Sequence, residues 1–100
     1  MKRRRSALRR RYGHAGGSSR YRVRYVGDAG PVSASRSFTS MLAALKFMRD
    51  ELRGNPDVGV KVGLALQNRL AAGEPWHWIS AADTDRYAKQ MNIKGWRPLA

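Results

Sequence analysis

A chain of 100 residues, 42% of them apolar, supports one small core and leaves little room for a deep catalytic cleft. It has no cysteine, which excludes disulfides and thiolate metal sites, and no apolar run of the roughly 18–20 residues that span a bilayer. A formal net charge of +13 points to nucleic acid first and an anionic membrane surface second.

That charge is unevenly spread. Ten of the twenty Lys and Arg residues lie within the first 24 positions, which contain no Asp or Glu, so residues 25–100 carry only about +3. In the opening run Lys2-Arg3-Arg4-Arg5 and Arg9-Arg10-Arg11, six of seven cations are Arg, whose fork of donors suits dense, sequence-independent contact with phosphates. Only Ser6, Ala7 and Leu8 interrupt the run, so no signal-peptide core is present and secretion is not expected. An organellar transit peptide, a solubilising tail or a nuclear-import-like signal would share this composition. Gly13 to Ser19 reads as a flexible linker, so 1–19 is expected to be a disordered basic arm and 20–100 the folded domain.

From Arg20 the chain alternates strictly. Tyr21, Val23 and Tyr25 fall on one side of a predicted strand, and Arg20, Arg22 and Arg24 on the other. A turn at 27–31 leads into a weaker strand over 32–37. Phe38, Met41, Leu42, Leu45, Met48 and Leu52 then recur at helical spacing, with Ser37 or Thr39 as the expected cap and Gly54-Asn55-Pro56 as the stop. Val58, Val60, Val62, Leu64 and Leu66 alternate with small or polar residues, predicting a long third strand. Trp76 to Ile79 reads as a fourth. Ser80 followed by Asp83 opens a final helix to about Asn92, with Asp85 and Lys89 spaced for i,i+4 support. The expected fold is α+β, a two-layer sandwich of order β-β-α-β-β-α with a mostly antiparallel four-stranded sheet.

Enzymatic motifs are absent from this pattern, and no catalytic residue, cofactor or metal is expected. His14 and His77 are far apart in sequence, and Asp83 and Asp85 are explained by a helix N-terminus. The candidate residues are nucleic-acid ligands: Lys2, Arg3, Arg4, Arg5, Arg9, Arg10 and Arg11 on the arm, and Arg20, Arg22, Arg24 and Lys61 on one sheet face that Gly59 and Gly63 would leave flat. Trp76 and Trp78 share one side of their strand and can stack on bases if Ile79 points inward; the alternative is core packing. Tyr12 and Trp96 are further aromatic candidates.

The segment Arg3-Arg4-Arg5-Ser6-Ala7-Leu8-Arg9-Arg10-Arg11-Tyr12-Gly13 resembles the N-termini of small basic proteins of single-stranded DNA phages of the microvirus type. That resemblance implies a role in neutralising a packaged phage genome, in a virion or host cytoplasm. It leaves 20–100 unaccounted for. More loosely, residues 20–53 look like the arm-type DNA-binding domains at the front of tyrosine recombinases, with two strands before the helix where those present three. The leading expectation is a non-enzymatic protein binding single-stranded DNA without sequence preference, DNA being favoured over RNA. Two alternatives stay open: a virion or assembly module that binds a capsid protein or a second copy of itself, and an RNA-binding protein of ribosomal type.

Overall fold

The computed structural model describes residues 19–100; residues 1–18, with the basic run and Tyr12, lie outside the described residues. The described chain forms β1 (Tyr21–Gly27), β2 (Gly30–Phe38), α1 (Met41–Gly54), β3 (Gly63–Asn68), β4 (His77–Ile79) and α2 (Ala81–Gln90). This is the expected α+β order. The four strands make one antiparallel sheet in the order β2-β1-β3-β4, which places β1 and β3 at its centre.

Alternation along β1 decides the layers. Val23, Leu64 and Leu66 project to one side and join Ala44, Leu45 and Met48 of α1, Ala88 of α2 and Ile93 in a single buried cluster. Tyr21, Tyr25, Phe38, Phe47 and Ile79 pack around it. Both helices therefore cover the same face of the sheet, and the opposite face is left uncovered by any helix among the described residues.

Local chemistry sets the boundaries. Asp28 and Ala29 form a two-residue link between β1 and β2, and Gly30 follows at φ +115°, where a side chain would be strained. The cap of α1 is Ser40, not Ser37 or Thr39; its Oγ accepts from the Ala43 amide at 3.1 Å. Phe38 accordingly belongs to β2, and Leu42 falls outside the buried stripe, 42% exposed. Ser80 caps α2 as expected, accepting from the Asp83 amide at 3.0 Å.

The predicted third strand is shortened. Its first half, 58–62, is a tight reversal in which the Asp57 carbonyl accepts from the amides of Val60, Lys61 and Val62, while Gly59 takes φ +90°. Alternating valines cannot make a strand without a partner edge, and here the carbonyl of Asp57 captures the amides first. Val60 is left 81% exposed.

The two helices are fixed to their surroundings by two acidic residues. Tyr25 on β1 donates its hydroxyl to Glu51 Oε1 on α1 at 2.8 Å. Burial, then the bond to Glu51, pushes the phenol pKa up to about 12 from its ordinary 10. On α2 the Asp85 carboxylate does not pair with Lys89 as its spacing suggested; it accepts from Trp96 Nε1 at 2.9 Å and from the Leu99 and Ala100 amides at 2.8 and 3.0 Å. Partial burial alone would raise this carboxyl, but those three donors outweigh it and hold its pKa below the ordinary value.

Two predictions follow these contacts. Because the folded phenol titrates above the unfolded one, its stabilisation is complete below about pH 10 and is lost as pH rises towards 12. Chemical denaturation across that window should show the native chain losing stability relative to Tyr25→Phe; parallel curves would disprove the Glu51 link. Asp85→Ala should cost about 1.5–3 kcal/mol, the value of hydrogen bonds to a charged group. Trp96 emission should shift to the red as the C-terminal segment detaches, and an unchanged melting temperature would refute this anchor.

Candidate nucleic-acid interface

The uncovered sheet face is built in rows by the antiparallel register. Arg22 lies opposite Ser37 on β2 and Gln67 on β3, and Gln67 lies opposite Trp78 on β4. Directly opposed residues point the same way, so these four side chains share the face. One pleat further, Arg24 lies between Ser35 and Ala65. In the other direction the ladder continues past the strand ends: the Arg20 amide donates to the Phe38 carbonyl at 3.1 Å, and the Arg20 carbonyl accepts from the Arg69 amide at 3.0 Å. Arg20 and Arg69 are thus side by side on the same face, with Trp76 at the next position across.

The side chains confirm the rows. Arg22 Nε donates to Gln67 Oε1 at 2.9 Å, and Gln67 is only 4% exposed beneath its neighbours. The guanidinium carbons of Arg22 and Arg69 lie 4.4 and 4.3 Å from the centre of the Trp76 ring, within cation–π range. Arg69 Nε also donates to the Ser19 carbonyl at 2.7 Å. That bond draws Ser19 into the fold, fully buried, one residue earlier than the expected start of order. Arg24 Nη2 donates to the Val32 carbonyl at 2.9 Å, where the β1–β2 register is irregular.

Like charges are crowded here. The Arg22 pKa lies below its ordinary value, through partial burial first and then repulsion from Arg24 and Arg69. A guanidinium stays charged regardless, so the positive charges remain crowded on this face. The Arg24 Nε is buried with no hydrogen-bond acceptor among the described residues.

The face holds most of the residues expected of it. Arg20, Arg22, Arg24, Trp76 and Trp78 come together, and Ile79 does pack inward against the core. Lys61 does not join them. It sits in the 57–62 reversal, exposed, with Nζ 3.9 Å from Asp57 Oδ1, because the strand it was expected to ride begins only at Gly63. Gly59 leaves the face for the same reason. Trp96 is on the helix side, bonded to Asp85. Arg69 was missed by the sequence reading, although extending the alternation of Ala65 and Gln67 by two residues reaches it. The seven arm cations and Tyr12 lie outside the described residues. Among the described residues no helix is long and apolar enough to cross a membrane, and no cluster of three His, Asp or Glu could hold a metal.

Comparison with protein-family models, curated proteins and solved structures finds no match, so the function is argued from this face.

Crowded cations predict stabilisation by polyanions. Millimolar tripolyphosphate at constant ionic strength should raise the melting temperature of the full chain by several degrees, and the Arg22→Gln/Arg24→Gln pair should lose most of that rise. An equal rise in the double variant would show that the face does not bind phosphate.

Proposed function

We propose that this chain is a nucleic-acid-binding protein that engages single-stranded DNA without sequence preference. Its sheet face and its basic N-terminal run act as one electrostatic track. The observation that carries this reading is the row of Arg20, Arg22, Arg24 and Arg69 on a sheet face edged by two tryptophans. Guanidinium groups spaced along a strand meet a phosphate backbone at successive positions, and adjacent indoles offer an apolar surface to bases that a duplex keeps hidden. Neutralising a genome as it is compacted, the role implied by the likeness to microvirus packaging proteins, requires this kind of sequence-blind contact.

Counterion release separates the two contributions. If the seven cations of residues 2–11 each neutralise one phosphate, they contribute roughly −5 to the log–log salt slope on single strands, and Arg20, Arg22, Arg24 and Arg69 add about −3. Binding of oligo(dT) measured across a salt series should give a slope of about −8 for the full chain. It should fall to about −3 after deletion of residues 1–12, and to about −6 in the Arg20→Gln/Arg22→Gln/Arg24→Gln variant. A triple variant with the parent slope would remove the sheet face from the reading. Competition by duplex DNA or RNA as strong as that by oligo(dT) would overturn the preference for single strands.

A further inference from the structure

The two tryptophans of the uncovered face are not equivalent. Trp76 is half-buried, and its ring is already occupied by the guanidinium groups of Arg22 and Arg69 at 4.4 and 4.3 Å. A base could stack on it only by displacing cations that the phosphate backbone needs. Trp78 is 51% exposed, and no cation or ring contact among the described residues engages it. It lies opposite Gln67, next in the row to Arg22, on a three-residue strand at the margin of the sheet. The remaining tryptophan, Trp96, is bonded to Asp85 on the helix side.

We infer that Trp78 is the base-stacking platform of this face, and that Trp76 is a positioning residue that holds Arg22 and Arg69 in place for phosphate. The inference rests on the reading of the face as a single-strand surface and assigns its parts. Across the row, Arg22 bonds to Gln67 and Gln67 faces Trp78, so a strand whose phosphate sits on Arg22 brings its base over the sheet margin. Gln67 is too buried to read that base; it fixes the Arg22 guanidinium from below. An unpaired base of any identity presents a π-face to the Trp78 indole, so stacking adds affinity without sequence preference. A duplex, whose bases are already stacked, gains nothing from it. Charge complementarity selects the occupant of the exposed indole: beyond Gln67 the same face carries Arg22, with Arg69 at Trp76, which suits a polyanion and opposes docking of a second copy of the same basic face.

The test uses the full chain and two probes of equal length, oligo(dT) and an abasic deoxyribose-phosphate strand. The parent protein should bind oligo(dT) about tenfold or more tightly than the abasic strand. Trp78→Ala should abolish that difference while leaving the salt slope unchanged, and Trp78→Phe should keep most of it. Trp76→Ala should instead weaken binding to both probes and make the slope shallower, with Trp76→Phe restoring both. Quenching of intrinsic fluorescence by oligo(dT) should vanish in Trp78→Phe and persist in Trp76→Phe. Equal affinity of the parent for the two probes would overturn stacking and leave the electrostatic reading standing. Quenching that persists in Trp78→Phe would overturn the assignment to Trp78. Failure to bind either probe would overturn the single-strand reading itself. Loss of self-association in Trp78→Ala without loss of affinity would make this indole a contact between copies.

Discussion

Everything on this domain hangs on the pleat of β1. The strand is hydrogen-bonded on both sides, to β2 and to β3, so its residues have no freedom to choose a face. Val23 goes under the helices and is fully buried, while Arg22 and Arg24 go to the opposite side. A register slip of one residue would bury guanidinium groups and expose the core valine. The hydrophobic requirement of one layer thereby orders the cations of the other. In this small domain the core and the candidate interface are two sides of one strand.

Order among the cations comes from neighbours of a different kind. Long arginine side chains lose considerable entropy when fixed, and crowding them together costs repulsion. Gln67 and Trp76 offset both costs. The amide oxygen of Gln67 holds the Arg22 Nε, and the indole of Trp76 lies beneath Arg22 and Arg69. The guanidinium groups of such a face are already oriented, which lowers the entropy a ligand would have to offset. Polar and aromatic residues at Gln67 and Trp76 serve the arginines. Trp78, on the same face, has no such role among the described residues and is left exposed.

Much of this was legible from residue order. Strict alternation over 20–26 separated Tyr21, Val23 and Tyr25 from the arginines, whereas the side taken by Trp76 and Trp78 depended on Ile79, which packs inward only in the folded chain. The Ser80 cap of α2 was equally plain, and Leu45 and Met48 of α1 were placed inward, although Phe38 went to β2 and Leu42 to the surface. The misreadings share one cause. Lys61, Gly59 and Val60 alternate as well as any strand, but alternation does not supply a partner, and the Asp57 carbonyl closes a reversal before one is reached. Asp85 has a Lys89 four residues on, yet the backbone amides of the C-terminal segment and the Trp96 indole offer it better-directed donors. Arg69 lay one step beyond a strand whose end could not be seen in advance.

The amino-acid sequence by itself determined the period of β1, the Ser80 cap and the concentration of positive charge at one end, because each depends on residues close in the chain. Which cations would stand together was decided only in three dimensions. Arg20 meets Arg69 across a ladder that joins residues nearly fifty positions apart, and the turn that follows brings Trp76 beneath Arg22 and Arg69. Tertiary structure also separated the three tryptophans into a support for arginines, an exposed indole and an anchor for the C-terminal segment. Their identical side chains contain no such distinction; it arises from what each indole was brought to face.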